Sequence, residues 1–251
     1  KLKVAVRANA GKIAGLGHVM RCISLVNELK ERYNAEVFFV MKDEPFGVEA
    51  ARSRGFGVKT LPVELTVEED FRNTRELTKD ADIIIADSYE FTTEYLKELN
   101  DDKKLLVYFD DYYGIQEKMF LPVDVIINGN AYGAPELYTI RARSDTKLLL
   151  NLKYTPLRKE FQNVPKRTIK EDASTVMVIL GGGDASQGLT LKIVDALEQI
   201  NKNLKVNIVF GKAFSYKAQL QEKIKMCRHN YQLFENLTEL VPVMIDSDIA
   251  I

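Results

Sequence analysis

Cysteine is nearly missing from this chain. Cys22 and Cys227 lie far apart, and neither belongs to a Cys-x-x-Cys pair or a Cys/His group at metal-ligand spacing. That excludes a disulfide framework and a structural zinc site, and leaves two packed or surface thiols. Long apolar runs are missing too: none approaches the ~20 residues that a bilayer-spanning helix needs. The N-terminus enters a strand-like pattern without a signal-peptide core and cleavage site, so the expected location is the cytoplasm. Nor does charge of one sign dominate, with 35 Lys+Arg against 36 Asp+Glu. Neither nucleic acid nor an anionic membrane would be drawn to it globally, and any polyanion-binding surface must be local. No solenoid-period repeat and no low-complexity tract occurs. Histidine appears twice, at His18 and His229.

What is present is an ordinary globular composition, 46% apolar and 28% charged over 251 residues, long enough for two modest domains. Short apolar runs recur between helical patterns: "LKVAVRA" (2–8), "EVFFVM" (36–41), "ADIIIAD" (81–87), "KKLLVYF" (103–109) and "VDVIIN" (123–128). These predict strands of a parallel sheet. Between the first two, Met20, Ile23, Leu25, Val26 and Leu29 fall on one helix face, and Glu28, Lys30, Glu31 and Arg32 on the other. Strand, glycine loop, helix and strand make a βαβ unit. The mixed-charge segment "LTVEEDFRNTRELTKDAD" (65–82) predicts a helix with a solvated face. After residue 150 the pattern breaks into a stretch with two prolines and no apolar period. A second series follows, at "STVMVIL" (174–180), "KVNIVF" (205–210), "NYQLF" (230–234) and the closing "DSDIAI". The expectation is an α/β chain of two Rossmann-like domains, 1–155 and 172–251, joined by a linker at 156–171.

Two glycine clusters mark strand-to-helix turns. In the second series Gly181, Gly182, Gly183 and Asp184 follow an apolar strand and precede a helical pattern. Unpaired backbone N–H groups and the helix dipole make such a turn a candidate anion cradle. Its spacing matches neither G-x-G-x-x-G nor a Walker loop, and a glycine turn without a ligand explains it equally well. In the first series Gly11, Gly15 and Gly17 lead to His18. A lone histidine near a helix start is commonly structural. Here the glycines let the chain bend sharply, the helix N-terminus disfavours the imidazolium, and the loop lies beyond the carboxyl end of the first strand, where open α/β sheets bind ligands. Arg21, one turn along, would face the same cleft and meet a phosphate; its plain alternative is a solvated helix residue.

Six segments, "GLGHVMRCISLVNEL" (15–29), "IIIADSYEF" (83–91), "LVYFDDYYG" (106–114), "VIINGNAYG" (125–133), "YTPLRKEF" (154–161) and "VMVILGGGDASQ" (176–187), together span most of the chain. In order and spacing they resemble the UDP-2,4-diacetamido-2,4,6-trideoxy-β-L-altropyranose hydrolases of pseudaminic acid biosynthesis. Spore-coat polysaccharide biosynthesis proteins share these motifs. That family in turn resembles the GT-B glycosyltransferase that adds N-acetylglucosamine to the peptidoglycan lipid precursor. The resemblance implies that His18 is the base that activates water at the anomeric carbon, with UDP leaving, and that Gly181 to Asp184 open the nucleotide-binding region. It further implies that Asp87 and Tyr89 bind sugar groups or assist the histidine, and that Asp110, Asp111, Asn128 and Asn130 are substrate contacts. For the last four, capping of turns at strand ends is the plain alternative.

Displacement of UDP by water needs a base on the face opposite the leaving group and stabilisation of the growing diphosphate charge. The expected arrangement has His18 and sugar contacts on the first domain and the diphosphate on the second, giving inversion with C–O cleavage. The expected partner is a UDP-sugar, and neither a metal nor another cofactor is implied. A GT-B glycosyltransferase with the same donor and a non-catalytic nucleotide-sugar-binding protein are the alternatives. The family continues past the strand resembling "SDIAI" into a glycine/serine loop and a helix that helps hold the ribose, whereas this sequence stops at Ile251. The second domain is therefore expected to be incomplete, with a sheet edge and an apolar face exposed.

Overall fold

The computed structural model describes residues 1–10, 15–100, 103–111, 119–181, 188–211 and 214–251. They divide into two units, Lys1–Arg158 and Lys159–Ile251. No helix among the described residues is long and apolar enough to cross a membrane.

Among the described residues of the first unit, seven parallel strands form one sheet: β1 (Lys3–Ala8), β2 (Glu36–Lys42), β3 (Gly57–Leu61), β4 (Ile83–Asp87), β5 (Leu105–Phe109), β6 (Val125–Asn128) and β7 (Lys147–Leu150). Their order is β3-β2-β1-β4-β5-β6-β7, so the chain reverses direction across the sheet between β1 and β4. Such a reversal opens a crevice beyond the strands' carboxyl ends. Val4 of β1 stands opposite Val37 of β2 and Ile83 of β4, a run buried on both faces. On one face Val4, Val6 and Ala8 pack with Val19, Cys22, Ile23 and Val26 of helix α1 (Gly17–Tyr33) and with Val48 and Ala51 of α2 (Pro45–Arg52). On the other, Ala5 and Ile84 pack with Tyr95, Leu96 and Leu99 of α4 (Thr93–Leu99).

Helix α3 (Val67–Leu77) starts at a capping box between Thr66 and Glu69, as its sequence demands. Its outer face is solvated, but its inner face is polar as well. Arg7, fully buried on β1, donates from Nη2 to both Asp70 oxygens at 3.0 and 2.8 Å. Its Nε donates to Thr74 Oγ1 and to Tyr95 Oη, each at 3.2 Å. Removing either member of such a pair leaves a buried charge uncompensated. The edge strands β3 and β7 were not expected from the sequence; β3 (GVKTL) has one buried residue and no apolar run.

The second unit's described residues form a four-stranded parallel sheet in the order β10-β9-β8-β11. Its strands are β8 (Thr175–Ile179), β9 (Lys205–Phe210), β10 (Asn230–Glu235) and β11 (Ile249–Ala250), with helices α5 (Leu189–Leu197), α6 (Lys217–Ile224) and α7 (Val241–Asp246). Val176, Val178, Val206 and Ile208 pack under Val194, Leu197 and Leu220. Met244, Ile245, Ile249 and Ile251 are exposed. Much of the expected linker is docked on this unit: Glu160 accepts the Leu240 N–H at 2.7 Å, while Arg167 and Lys170 pair with Asp248.

Candidate active site

At the carboxyl ends of β4 and β5 the sheet presents carboxylates, and the first turn of α1 presents a histidine and an arginine to them. Gly15, at φ +67°, holds the left-handed conformation that favours glycine two residues before the helix; Gly17 is its first residue. His18 and Cys22 share the buried face of α1, and Arg21 lies one turn from His18. Asp87 closes β4 and is fully buried.

His18 Nδ1 meets Asp87 Oδ1 at 2.5 Å. Burial works against the Asp87 carboxylate, yet hydrogen bonds from Arg21 and His18 and the arginine charge outweigh it and hold the group below the usual carboxylate range. An ionised carboxylate only accepts, so Nδ1 is the donor in this contact, and in the neutral ring the lone pair then lies on Nε2. Nε2 makes no hydrogen bond among the described residues, and the ring, 6% exposed, lies edge-on to Tyr89 with centroids 4.5 Å apart.

Arg21 does not stand free for a phosphate. Its Nε donates to Asp87 Oδ2 and its Nη2 to Asp87 Oδ1, both at 2.6 Å, and Nη1 donates to Asp111 Oδ2. Burial opposes the arginine charge, but the bonds to Asp87 and Asp111 prevail and push its pKa up. Asp111 also gathers two half-exposed tyrosines. Tyr89 Oη lies 3.5 Å from Asp111 Oδ2, and Tyr132 Oη donates to the Asp111 carbonyl at 2.5 Å. His18, Arg21, Asp87, Tyr89 and Asp111 therefore form one cluster.

Asp110, Asn128 and Asn130 fall in a different network. Asp110 Oδ2 accepts from Tyr138 Oη at 2.9 Å and from Arg141 Nη1 at 3.0 Å, all three residues being buried. Asn128 Nδ2 donates to Tyr138 Oη, while its Oδ1 accepts from the backbone N–H and the side chain of Asn130. Gly129 is a close-packing position: a Cβ there would lie 2.8 Å from Thr155 Cα. Substrate contacts were expected of these residues; the structure engages Asn128 and Asn130 in a local turn, the plain alternative noted for them, but ties Asp110 Oδ2 to residues 28 and 31 positions on, and Asp110 Oδ1 and Arg141 Nη2 are buried without a hydrogen-bond partner among the described residues. Tyr132, Tyr138 and Arg141 were missed. Tyr132 lay inside a quoted motif, whereas no local pattern marks Arg141 as the partner of Asp110.

In the second unit Gly181, at φ +87°, opens the turn after β8 in a conformation that favours glycine. Gly182, Gly183 and Asp184 lie outside the described residues. His229 is buried, with Nε2 donating to the Leu197 carbonyl at 2.8 Å and Nδ1 accepting the Leu204 N–H at 3.4 Å. No group of three His, Cys, Asp or Glu side chains arranged to hold a metal occurs among the described residues.

No family model matches the chain. It is 24% identical over 259 aligned positions to the uncharacterized protein MJ1062 of Methanocaldococcus jannaschii, covering all of this chain and 51% of that protein. The chain thus spans about half the length of that curated relative. It is 27% identical to the spore coat polysaccharide biosynthesis protein SpsG of Bacillus subtilis, again along its whole length and over 71% of the relative. Among solved structures, HepE of Anabaena in complex with UDP-glucose superposes with a TM-score of 0.60 at 12% identity, covering all of this chain and 73% of that one. At that identity the likeness concerns fold: the chain has the α/β architecture with parallel sheets of the GT-B glycosyltransferases.

Proposed function

We propose that the chain acts on a UDP-linked amino-deoxy sugar in surface-polysaccharide or pseudaminic-acid-type sugar synthesis, hydrolysing it at the anomeric carbon with release of UDP. The observation that carries this reading is the His18–Asp87 pair, which leaves Nε2 unpaired at the carboxyl end of the sheet. The sequence similarity to SpsG and the fold shared with HepE in its UDP-glucose complex support the pathway and the donor class.

In this reading the water proton passes to His18 Nε2 as the oxygen bonds to the anomeric carbon, and the C–O bond to UDP breaks with its electron pair on the diphosphate. Asp87 steadies the imidazolium that forms. Tyr89 and Asp111 are the sugar contacts, and Asp87, fully buried, is left with orienting the ring. The turn opened by Gly181 is the proposed anion cradle. Glycosyl transfer is the second reading, favoured by the shared GT-B fold, since the same base would take a proton from an acceptor hydroxyl.

Incubation with UDP-sugars in ¹⁸O-labelled water, with and without acceptors, tests the proposal. Acceptor-independent UDP release with label on the sugar is expected. Label on UDP would overturn cleavage at the anomeric carbon, and release only with an acceptor would overturn hydrolysis and establish transfer. Binding without turnover would leave a nucleotide-sugar-binding protein.

A further inference from the structure

A base that must accept a proton is poorly served by a lone buried carboxylate, because a bare negative charge at 2.5 Å favours a ring that is already protonated. The groups facing His18 show how the cluster is balanced. Asp87 comes from β4, Tyr89 from the segment after it and Asp111 from the end of β5; Arg21 and Cys22 come from α1 itself. Arg21 is the one cation among them. It grips both Asp87 oxygens, and its Nη2 stands 3.3 Å from His18 Nδ1. The Phe109 ring, 4.8 Å from the guanidinium carbon, supports its plane.

We propose that Arg21 is a positioning residue whose charge balances Asp87, so that the carboxylate orients the His18 ring without converting it to a resting imidazolium. The inference rests on the reading of His18 as the base. Planarity explains why arginine stands here: a guanidinium satisfies both carboxylate oxygens in the carboxylate plane, whereas an ammonium is a point charge. Asp111 then has an opposing part. By sharing Arg21 it draws positive charge away from Asp87, so the two neighbours of the dyad are expected to act with opposite sign.

Nitrogen-15 spectra of the two histidines in the whole chain read this without turnover, at about pH 7.5, where an ordinary imidazole is mostly neutral and an imidazolium stands out. His229, with both ring nitrogens on backbone partners, is the internal reference. The wild type is expected to show His18 as the neutral Nδ1–H tautomer. R21Q should convert it to the imidazolium pattern, and its kcat should fall by about tenfold or more with KM changed less than about threefold. R21K keeps the charge and should keep the neutral ring, which decides the matter should R21Q fail to fold. D111N should hold the ring neutral at a lower pH than the wild type does.

An imidazolium already present in the wild type would overturn the proposal. So would a ring unchanged in R21Q, a ring charged in R21K, or D111N and R21Q shifting the ring in the same direction, as general loosening of the site would make them do. Because the spectra need no substrate, a chain with this charge pattern and no UDP-sugar turnover would refute the hydrolase reading and leave the role of Arg21 standing.

Discussion

Each unit carries one histidine, one cysteine and a carboxylate close to both, and the two trios are wired differently. In the first, His18 and Cys22 meet Asp87: Nδ1 at 2.5 Å from Oδ1, and the thiol at 3.4 Å from Oδ2. In the second, His229 Nε2 lies 3.8 Å from Glu198 Oε1, and the Glu198 charge acts on Cys227. Burial, followed by the adjacent carboxylate, pushes both thiols up. Hydrogen bonds overcome burial and hold both carboxylates down. Both histidines are buried. The difference is what their nitrogens meet. Both nitrogens of His229 are taken by backbone groups, whereas His18 spends only Nδ1 and, among the described residues, leaves Nε2 without a partner. Burial beside a carboxylate is common to both; what the proposed base has in addition is an Nε2 without a partner among the described residues, at the carboxyl end of a sheet.

The sharpest way to break this comparison is to exchange the losses. His18→Asn should lower turnover by about 10²- to 10⁴-fold, the usual contribution of a positioned base, while thermal unfolding and UDP affinity stay near the wild-type values. His229→Ala should do the reverse, leaving turnover per folded molecule unchanged and lowering stability by about 1 to 3 kcal/mol, because two buried backbone groups lose their partners. Parallel loss of turnover in both would show that folding was perturbed and not chemistry.

Asp87→Asn comes next, with turnover down by at least about tenfold because an amide no longer enforces the Nδ1–H tautomer. It also has a pH signature. Asp87 sits below the usual carboxylate range in the folded chain, so its ionisation stabilises the fold above the unfolded value of about 4 and stops doing so as pH falls through the lower folded value. Denaturant titrations should show the wild-type advantage over Asp87→Asn constant near neutrality and shrinking below about pH 4. A gap that widened on acidification would contradict the Asp87–Arg21–His18 wiring.

How much of this the sequence disclosed depends on distance along the chain. Strands buried on both faces, such as β1, β4 and β8, announce themselves as continuous apolar runs, and α1 as an apolar stripe. The edge strand β3 does not, because it is solvated on most of its positions, although the second sheet's edges β10 and β11 were legible. A helix was legible over 65–82, but its polar inner face was not: Asp70 and Thr74 read as surface residues until Arg7 is found beneath them. His18 stood out locally by its glycines, but its partner lies 69 residues away, and no periodicity records that pairing. For the same reason a fork that closes on Asp87 and Asp111 was read as a phosphate ligand. Asn128 and Asn130 look alike as amides at a strand end whether they bind a ligand or one another, and only the folded chain shows Asn128 Oδ1 taken by Asn130.

The mildest test bears on the second trio. Glu198 is disfavoured as a charge by its partial burial, yet the Arg228 N–H at 3.0 Å from Oε2 and the Tyr231 hydroxyl at 3.0 Å from Oε1 keep its carboxyl below the usual range. Glu198→Gln retains an oxygen for the Arg228 N–H and puts an amide N–H toward the Tyr231 hydroxyl, which can turn to accept it, so the main loss is the charge. The expected penalty at neutral pH is about 0.5 to 1 kcal/mol, fading as pH falls below about 4 and the native carboxylate is itself protonated. Turnover should not change, since His229 is held by Leu197 and Leu204 whatever the charge on Glu198. Asp87→Asn and Glu198→Gln thus make the same chemical change beside two buried histidines, and a comparable fall in turnover from both would mean that the unpaired Nε2 is not what separates them.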